Sequence, residues 1–565
     1  MNRRSGGNAQ PQGGRDARDA GFQPSPFEWL CLLAGCLLVV QYAWLLDDAF
    51  VYFRYVDNLL FLGLGLVYNA GEYVEGYSSP LWILLLIAAR SSEIGYWLII
   101  RVVGVACFVV FWALTVDLNR RLSPRTAPIV NFPLVSLAFN YGLLCYFTSG
   151  TESPLVIVAS VCIAQYVVRS RPSWIDVPVA LAPLIRHELV IPLAGCILWR
   201  WARTREIPWR VIGISLAALG GLAIFRTWYY AEWLPNTFYL KNAFWPSQGW
   251  PYLLDTALTY PLPLITGLAA LIAWLVAIRR AATSEATPWQ IPERGVLLVM
   301  AALIALFVIK IGGDARHFRY LIFPFVVGTC ALGGLTERVL ERWSPGRRNA
   351  VAVAVSAAIA AITLSAYPRQ LDRHPLRDGV VAETVDKITD AQTHRAHSVI
   401  PDLDPWQGGE SIELLPRYRR ALGDRDVIRY RGVISSYLCW KLYKNFDRRN
   451  VHTLGLTDSY LARTNLEGDW PAHNWALVLV GQEIETLIKQ QPRKRPRRGM
   501  FRAAFLAGRA PAWVEPNLES LSILERKIYN RHDFIDNLAL ALARPERIFF
   551  ERSPLADAPK PRRQR

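Results

Sequence analysis

Long apolar stretches, each closed by polar residues, repeat along the first two-thirds of the chain and then stop. They cover residues 27–46, 79–94, 96–118, 129–147, 154–168, 175–199, 211–230, 252–278, 294–311, 319–340 and 349–366. A helix needs about 20 apolar residues to cross roughly 30 Å of hydrocarbon. The pattern therefore predicts a polytopic α-helical membrane protein with about eleven spans. Between the first two stretches the period changes. Ala49 to Leu62 carries aromatic and aliphatic residues at helical spacing with Arg54 and Asp57 between them, which predicts an amphipathic helix lying on the membrane surface. Gly63, Gly65 and Gly71 then bend the chain, and Glu72 and Glu75 lead it back.

After Tyr367 no crossing-length apolar run occurs. Short runs at 399–400, 427–430 and 475–480 predict strands, and 380–388 and 482–489 predict helices. The expected organisation is a disordered cytoplasmic tail over 1–24 and a transmembrane domain over 25–366. A soluble C-terminal α/β domain over 367–543 follows, then a basic Pro/Arg-rich tail over 544–565.

Composition supports the membrane reading, with 52% hydrophobic residues and 21 Trp in 565 residues. A net charge of +17 would suit nucleic acid, but much of it lies in short loops between spans, where it sets orientation. No nucleic-acid partner is expected. Basic loops at Arg200 to Arg210, Arg279-Arg280 and Glu337 to Arg348 predict a cytoplasmic N-terminus and a C-terminal domain outside. Arg120, Arg121, Arg125, Arg169 and Arg171 disagree with a simple count. They become cytoplasmic only if an early segment such as 79–94 is re-entrant, and the same choice sets the side of loop 148–154. Segment 175–199 places Pro178, Pro183 and Pro192 around a central Arg186-His187-Glu188 and reads as one broken span. Only Cys439 of the eight cysteines lies in the polar C-terminal part, so that part holds no internal disulfide.

Ionisable residues at membrane boundaries carry the candidate chemistry. Asp47 and Asp48 sit at the exit of the first span; the blander reading is that they end it and cap the next helix. Thr148 to Pro154 is either a polar site loop holding Glu152 or an ordinary helix start. Trp233 to Lys241 brings Asn236 and Lys241 into an aromatic loop, where belt residues are also expected. In Gly312 to Tyr320 a Gly pair would let backbone N–H groups approach a ligand, and Arg316, His317 and Arg319 suit phosphate. Arg186 with Glu188 reads alternatively as an ion pair locking the bundle. His394 and His397 lack further ligands at metal spacing, no Walker-A loop or dinucleotide fingerprint occurs, and neither a nucleotide nor a nicotinamide cofactor is implied; no cofactor is expected, and a divalent metal stays open.

These pieces resemble one family. Asp47-Asp48-Ala49-Phe50, Gly65-Leu66-Val67-Tyr68-Asn69-Ala70-Gly71-Glu72 and Val74-Glu75-Gly76-Tyr77 resemble the GT-C membrane glycosyltransferases. Further matches are Ser149 to Pro154, Leu234 to Tyr239, Gly312-Gly313-Asp314 and Gly455-Leu456-Thr457-Asp458. Within that class they resemble the terminal β-(1→2)-arabinofuranosyltransferases of mycobacteria and their Gram-negative relatives, some labelled flagellar motor control proteins. Relatives commonly show Arg-Pro-Glu where this chain has Arg186-His187-Glu188, and an aromatic and Met where it has Ala315-Arg316-His317.

The resemblance implies a GT-C fold in a bacterial inner membrane. A sugar, by analogy arabinofuranose, would pass from a polyprenyl-phosphate donor to a glycan or glycoconjugate acceptor on the outer face. Asp47 and Asp48 would supply the base, a carboxylate pair titrating as a coupled unit. Arg54, Arg186, His187, Lys241, Arg316 and Arg319 would face the donor phosphate. Glu75, Tyr77, Glu152, Glu188, Asn236 and Asp314 would face sugar or acceptor. The rival is a non-catalytic membrane protein that binds or transports glycan or lipid carrier. Transporters tend to show inverted repeats, and this sequence has none.

Overall fold

The computed structural model describes residues 24–43, 45–46, 48–69, 73–122, 131–169, 172–241, 244, 246–261, 293–313, 318–331, 333 and 344–365. Beyond these it describes 432–435, 449–452, 464–466, 534–543 and 548–550. The predicted elements at 380–388, 399–400, 427–430, 475–480 and 482–489 lie outside the described residues.

Helix α1 (Pro26–Gln41) starts on a capping box. The Glu28 amide donates to Ser25 Oγ, the Ser25 amide donates back to Glu28 Oε2, and Pro26 opens the first turn. The buried Glu28 then gathers two other elements. Arg120 in the last turn of α4 (Tyr96–Leu122) lies 3.2 Å from it, and Asn131, just before α5 (Phe132–Ala138), donates to it at 3.3 Å. The start of α1, the end of α4 and the start of α5 therefore share one end of the bundle. Arg121 and Arg169 both reach Asp117 at 2.8 Å, which adds the end of α7 (Ser153–Val168).

At the opposite end the Leu46 amide donates to Ser149 O at 2.8 Å, and Trp82 Nε1 donates to Gly150 O at 3.1 Å. Loop 148–153 thus belongs to the end where α1 finishes. Arg120, Arg121 and Arg169 share the Glu28 end, which agrees with a re-entrant 79–94, and α3 (Pro80–Arg90) is short. At 11 residues it is only about 16 Å long, and it packs beside α2 (Ala49–Leu60), with Arg90 3.4 Å from Asp57. Residues 131–147 form two seven-residue helices, α5 and α6 (Tyr141–Phe147), each capped by an Asn side chain.

Segment 175–199 departs from the expected single broken span. Asp176, at the start of α8 (Asp176–Ile185), lies 3.9 Å from Arg210 in α10 (Trp209–Tyr230). On α9 (Val190–Thr204), Trp199 and Arg203 donate to Val167 O in the last turn of α7. Both ends of the segment therefore sit at the Glu28 end. Helices α8 and α9 form a hairpin that enters the bundle, turns on a 3₁₀ segment, His187–Leu189, and leaves by the same side. Pro183 lies in the last turn of α8, two residues before its C-terminal end, where the helix gives way to extended backbone at Arg186. Segment 175–199 is thus two helices whose shared tip reaches Glu152 at the opposite end, and not one broken span.

Among the described residues four helices are long and apolar enough to cross a membrane: Tyr96–Leu122, Trp209–Tyr230, Glu293–Ile311 and Gly346–Ser365. Glu293–Ile311 starts at the Glu28 end, where Arg203 meets Glu293 at 2.9 Å. A shorter helix, Ile322–Ala331, returns to that end, where Arg294 donates to Ala331 O and Leu122 O. One apolar core built on Phe108, Phe147, Ile163 and Val326 joins α1 and α4–α9 to these helices. A second, on Phe50, Phe53, Tyr55, Trp82 and Tyr96, holds α2 and α3. In the C-terminal part β1 (Gly432–Ser435) pairs with β2 (Arg449–His452), and β3 (Thr464–Leu466) with β4 (Ile548–Phe550), both parallel. Helix Phe534–Ala543 lies against α10, Asn537 donating to Trp228 O at 2.7 Å.

Helix α2 also departs from expectation. Ten of its residues, Ala49 to Asn58, are buried, so its polar side chains do not face a membrane surface. Residues 65–69 and 73–77 lie over them: Arg54 Nε donates to Tyr68 O at 2.6 Å, and Asn58 donates to Val67 O and Tyr68 O. The Tyr55 hydroxyl accepts from the Gly76 amide at 2.8 Å. The period that resembled a surface helix is that of a helix clamped between a core and a loop.

Candidate functional site

Five elements converge at the end where α1 finishes. Asp48 occupies the N-cap position of α2, yet its side chain makes no capping hydrogen bond. Its Oδ2 instead accepts from Arg319 Nη1 at 2.6 Å. The capping role weighed from sequence is not the one this side chain plays. Arg319 stands in the 3₁₀ turn Arg319–Leu321 that leads into Ile322–Ala331. Its Nη2 reaches Glu152 Oε1 at 3.1 Å.

Glu152 receives more. Arg186 Nη1, at the tip of the α8–α9 hairpin, lies 3.5 Å from the same oxygen, and the Tyr52 hydroxyl donates to Oε2 at 3.0 Å. Arg186 Nε meets Glu188 Oε1 at 2.5 Å, and its guanidinium lies 4.0 Å from the centre of the Tyr320 ring. The result is a run of alternating charge, Asp48, Arg319, Glu152, Arg186, Glu188, contributed by segments up to 271 residues apart. Side-chain exposure grades along it: 1% for Glu152, 4% for Arg319, 11% for Arg186, 14% for Glu188 and 28% for Asp48. Asp48 is the member most open to an incoming molecule.

Burial alone would raise the Glu152 carboxyl, but Arg319 and Arg186 outweigh it and hold the pKa below the ordinary carboxylate value. Glu152 is thus a fixed anion. Burial, and then the Glu152 charge, keep the Tyr52 hydroxyl protonated far above its ordinary value, so it stays a donor. The loop that carries Glu152 turns through Gly150. That residue has φ +75°, and a Cβ there would stand 2.7 Å from Ala49 Cβ, so glycine lets loop and helix close together.

A second ion pair lies beside the first run. Glu75 is clasped by Arg226 of α10, Nε to Oε2 at 2.6 Å and Nη2 to Oε1 at 2.9 Å. Arg226 Nη2 also lies 3.3 Å from His187 Nε2. A guanidinium only donates, so Nε2 accepts, and the His187 ring is neutral with its proton on Nδ1. The Asn236 backbone N–H donates to Glu75 O at 3.0 Å, and the Tyr77 hydroxyl stands 3.2 Å from that of Tyr230. Burial pushes the Glu75 carboxyl up, with Arg226 opposing.

Of the residues singled out from sequence, Asp48, Glu152, Arg186, Glu188 and Arg319 meet in one cluster, and Glu75 and His187 meet beside it. Tyr77 and Asn236 pack around that second pair. Arg54 lies elsewhere, 1% exposed beneath the loop it holds. The Gly312-Gly313 pair differs from expectation: both amides turn back to close the helix before them, Gly312 N–H to Ile309 O and Gly313 N–H to Val308 O. Their N–H groups are spent on a helix end. Asp47, Asp314, Arg316 and the side chain of Lys241 lie outside the described residues.

Sequence reasoning missed Arg226, Tyr52 and Tyr320. A signal existed for Arg226, since an ionisable residue inside an apolar span is noteworthy by itself. Tyr52 and Tyr320 have no such mark. Among the described residues no three His, Cys, Asp or Glu side chains are placed to share a metal ion.

Two curated proteins are similar to this chain in sequence. The chain is similar to the terminal β-(1→2)-arabinofuranosyltransferase of Corynebacterium glutamicum, at 29% identity over 354 residues, 53% of this chain and 49% of that protein. It is similar also to the terminal β-(1→2)-arabinofuranosyltransferase of Mycobacterium tuberculosis, at 29% identity over 345 residues, 52% of this chain and 54% of the other. The resemblance carried by the motifs is thereby shown, and the chain spans about half the length of the curated relatives it matches. No family model matches the chain, and no solved structure matches it.

Proposed function

We propose that the chain is a GT-C glycosyltransferase of a bacterial inner membrane. It moves a sugar, by analogy arabinofuranose, from a polyprenyl-phosphate donor to a glycan or glycoconjugate acceptor outside the cytoplasm. One observation carries this reading: Asp48, a carboxylate with an open face, ends a run of fixed charges at the outlet of the first helix. In the reaction the acceptor oxygen attacks the anomeric carbon while the bond from that carbon to the phosphate oxygen breaks. The bonding pair leaves with the polyprenyl phosphate, and the hydroxyl proton passes to Asp48. Arg186 and Arg319 stabilise the departing phosphate. Glu152 holds both guanidiniums in place, Tyr52 and Tyr320 hold Glu152 and Arg186, and Asp47 precedes the base in the sequence.

Lys241, Arg316 and Asp314 belong to the donor and sugar contacts in this reading, and residues 367–543 hold the acceptor above the membrane. The test is glycan analysis of a strain lacking the chain, complemented with the wild type or with Asp48→Asn. A terminal sugar that is lost, and restored by the wild type alone, supports transfer through Asp48. A glycan profile unchanged by the deletion sinks the proposal.

A further inference from the structure

We infer that Arg101 of α4, stacked on Trp97, holds the phosphate of a membrane lipid in the leaflet on the Asp48 side. The inference rests on the membrane reading of the chain and not on the reaction assigned to the Asp48 cluster. A charge inside a span is normally met by a polar partner from the same protein. Arg54, Arg186, Arg226, Arg294 and Arg319 each meet an oxygen in this way. Arg101 does not. Among the described residues it has no carboxylate at ion-pair distance, and its buried Nε has no hydrogen-bond partner. Its guanidinium carbon lies 4.3 Å from the centre of the Trp97 ring, one helical turn nearer the start of α4.

The surroundings are those of a lipid-facing flank. Helix α4 is long and apolar enough to cross a membrane, and Leu98 and Val102, beside Arg101, are 55% and 59% exposed. On such a surface water is scarce, so the remaining N–H groups of the guanidinium need an oxygen that the lipid brings. Helix α4 ends at the Glu28 side, so it starts at the Asp48 side, and Trp97 is its second residue. Tryptophan at a span end marks the headgroup level, and Arg101 leans toward it. A guanidinium grips two phosphate oxygens in one fork, while Leu98 and Val102 lie against the lipid tails. The turn that carries Arg101 also packs on the loop that carries Glu152. A Cβ at Gly104 would stand 2.5 Å from Phe147 O, and one at Gly150 would stand 3.2 Å from Ile100 Cδ1. Ile100 is buried toward that loop, and Arg101 follows it about 100° further round the helix. A phosphate on Arg101 therefore lies near the depth of the loop but on the lipid side of α4.

The experiment measures lipid binding to the full-length protein by native mass spectrometry from detergent. The probes are phosphatidylglycerol, a short-chain polyprenyl phosphate, and a diacylglycerol that has no phosphate. The wild type is compared with Arg101→Leu, Arg101→Gln and Arg101→Lys, each checked for folding by thermal unfolding. Leucine suits a lipid-facing position, so at least one uncharged variant should fold. The wild type should prefer a phosphate lipid to diacylglycerol, and Arg101→Leu and Arg101→Gln should weaken that lipid about tenfold. Arg101→Lys keeps the charge without the fork or the stacking and should fall between them. A loss confined to phosphatidylglycerol supports a resident phospholipid at the site. A loss that includes polyprenyl phosphate supports a phosphate site open to that lipid as well. A folded uncharged variant that binds both phosphate lipids as tightly as the wild type overturns the inference. So does a wild type that shows no preference over diacylglycerol.

Discussion

Two clusters of charge meet at the tip of the α8–α9 hairpin, and they are built on different terms. The pair Glu75–Arg226 is closed: the contact is bidentate, both side chains are at most 5% exposed, and the surrounding hydroxyls are Tyr77 and Tyr230. The run from Asp48 to Glu188 is open. Each ion-pair contact described in it is one nitrogen to one oxygen, among the described residues its carboxylates outnumber its guanidiniums, and exposure rises from Glu152 outward to Asp48. Balanced, fully engaged charge fixes a structure, whereas charge left unbalanced at an accessible edge has room for a ligand. Arg186-His187-Glu188 touches both, with His187 on the closed pair and its neighbours on the open run. The hairpin tip is therefore located by one cluster and used by the other.

The largest effect should come from the open edge. Asp48→Asn should lower transfer by about 10²–10⁴-fold, the usual weight of a general base, with little change in thermal stability in detergent. A variant that unfolds rather than fails in turnover would put Asp48 with the closed cluster.

The closed pair should respond the other way. Arg226→Leu leaves Glu75 buried without its clasp and should destabilise the protein by about 3–5 kcal/mol, while Glu75→Leu/Arg226→Leu together should cost much less. Thermal unfolding of the single and double variants checks this. A double variant as unstable as Arg226→Leu would show that the pair does more than hold α10 to loop 73–77.

This comparison was only partly legible in the sequence. Charges at the ends of apolar runs drew attention to Asp48, Glu152, Arg186, Glu188 and Arg319 because a charge near hydrocarbon has few tolerable surroundings. Arg226 obeys the same rule and went unread among aromatic neighbours. Hairpin and span could not be told apart at 175–199, since apolar length does not say which side the chain leaves by; Trp199 and Arg203 meeting Val167 O settles it. Helix α2 was misread because periodicity reports which residues share a face, not what covers that face. The Gly312-Gly313 amides were assigned to a ligand because a helix end and a ligand use the same geometry.

Glu152 gives a third effect with a defined pH signature. Its pKa is held below the ordinary carboxylate value of 4.5. Its ion pairs therefore contribute fully above that value, and the contribution is lost as pH falls through the depressed one. Glu152→Gln should be less stable than the wild type near neutral pH, and the gap should narrow on acidification. A gap that stays constant or widens in acid would mean that the Arg319 and Arg186 contacts do not stabilise the ionised form.

Tyr52→Phe should produce the smallest change, and its smallness is informative. The hydroxyl donates to Glu152 Oε2 at 3.0 Å and stands 3.2 Å from Ser78 Oγ. Losing a neutral hydrogen bond of this kind costs about 0.5–1.5 kcal/mol net. Phenylalanine keeps the ring packed against Tyr77, so no cavity term is added. Glu152 still has two guanidiniums on Oε1, and those contacts fix both its charge and its place. Transfer should accordingly fall by less than about tenfold, with a modest loss of stability by thermal unfolding. If transfer instead collapsed as it should in Asp48→Asn while the protein stayed folded, Tyr52 would touch the reacting groups. The active edge would then extend from Asp48 across α2 to Ser78, on the side facing the closed pair.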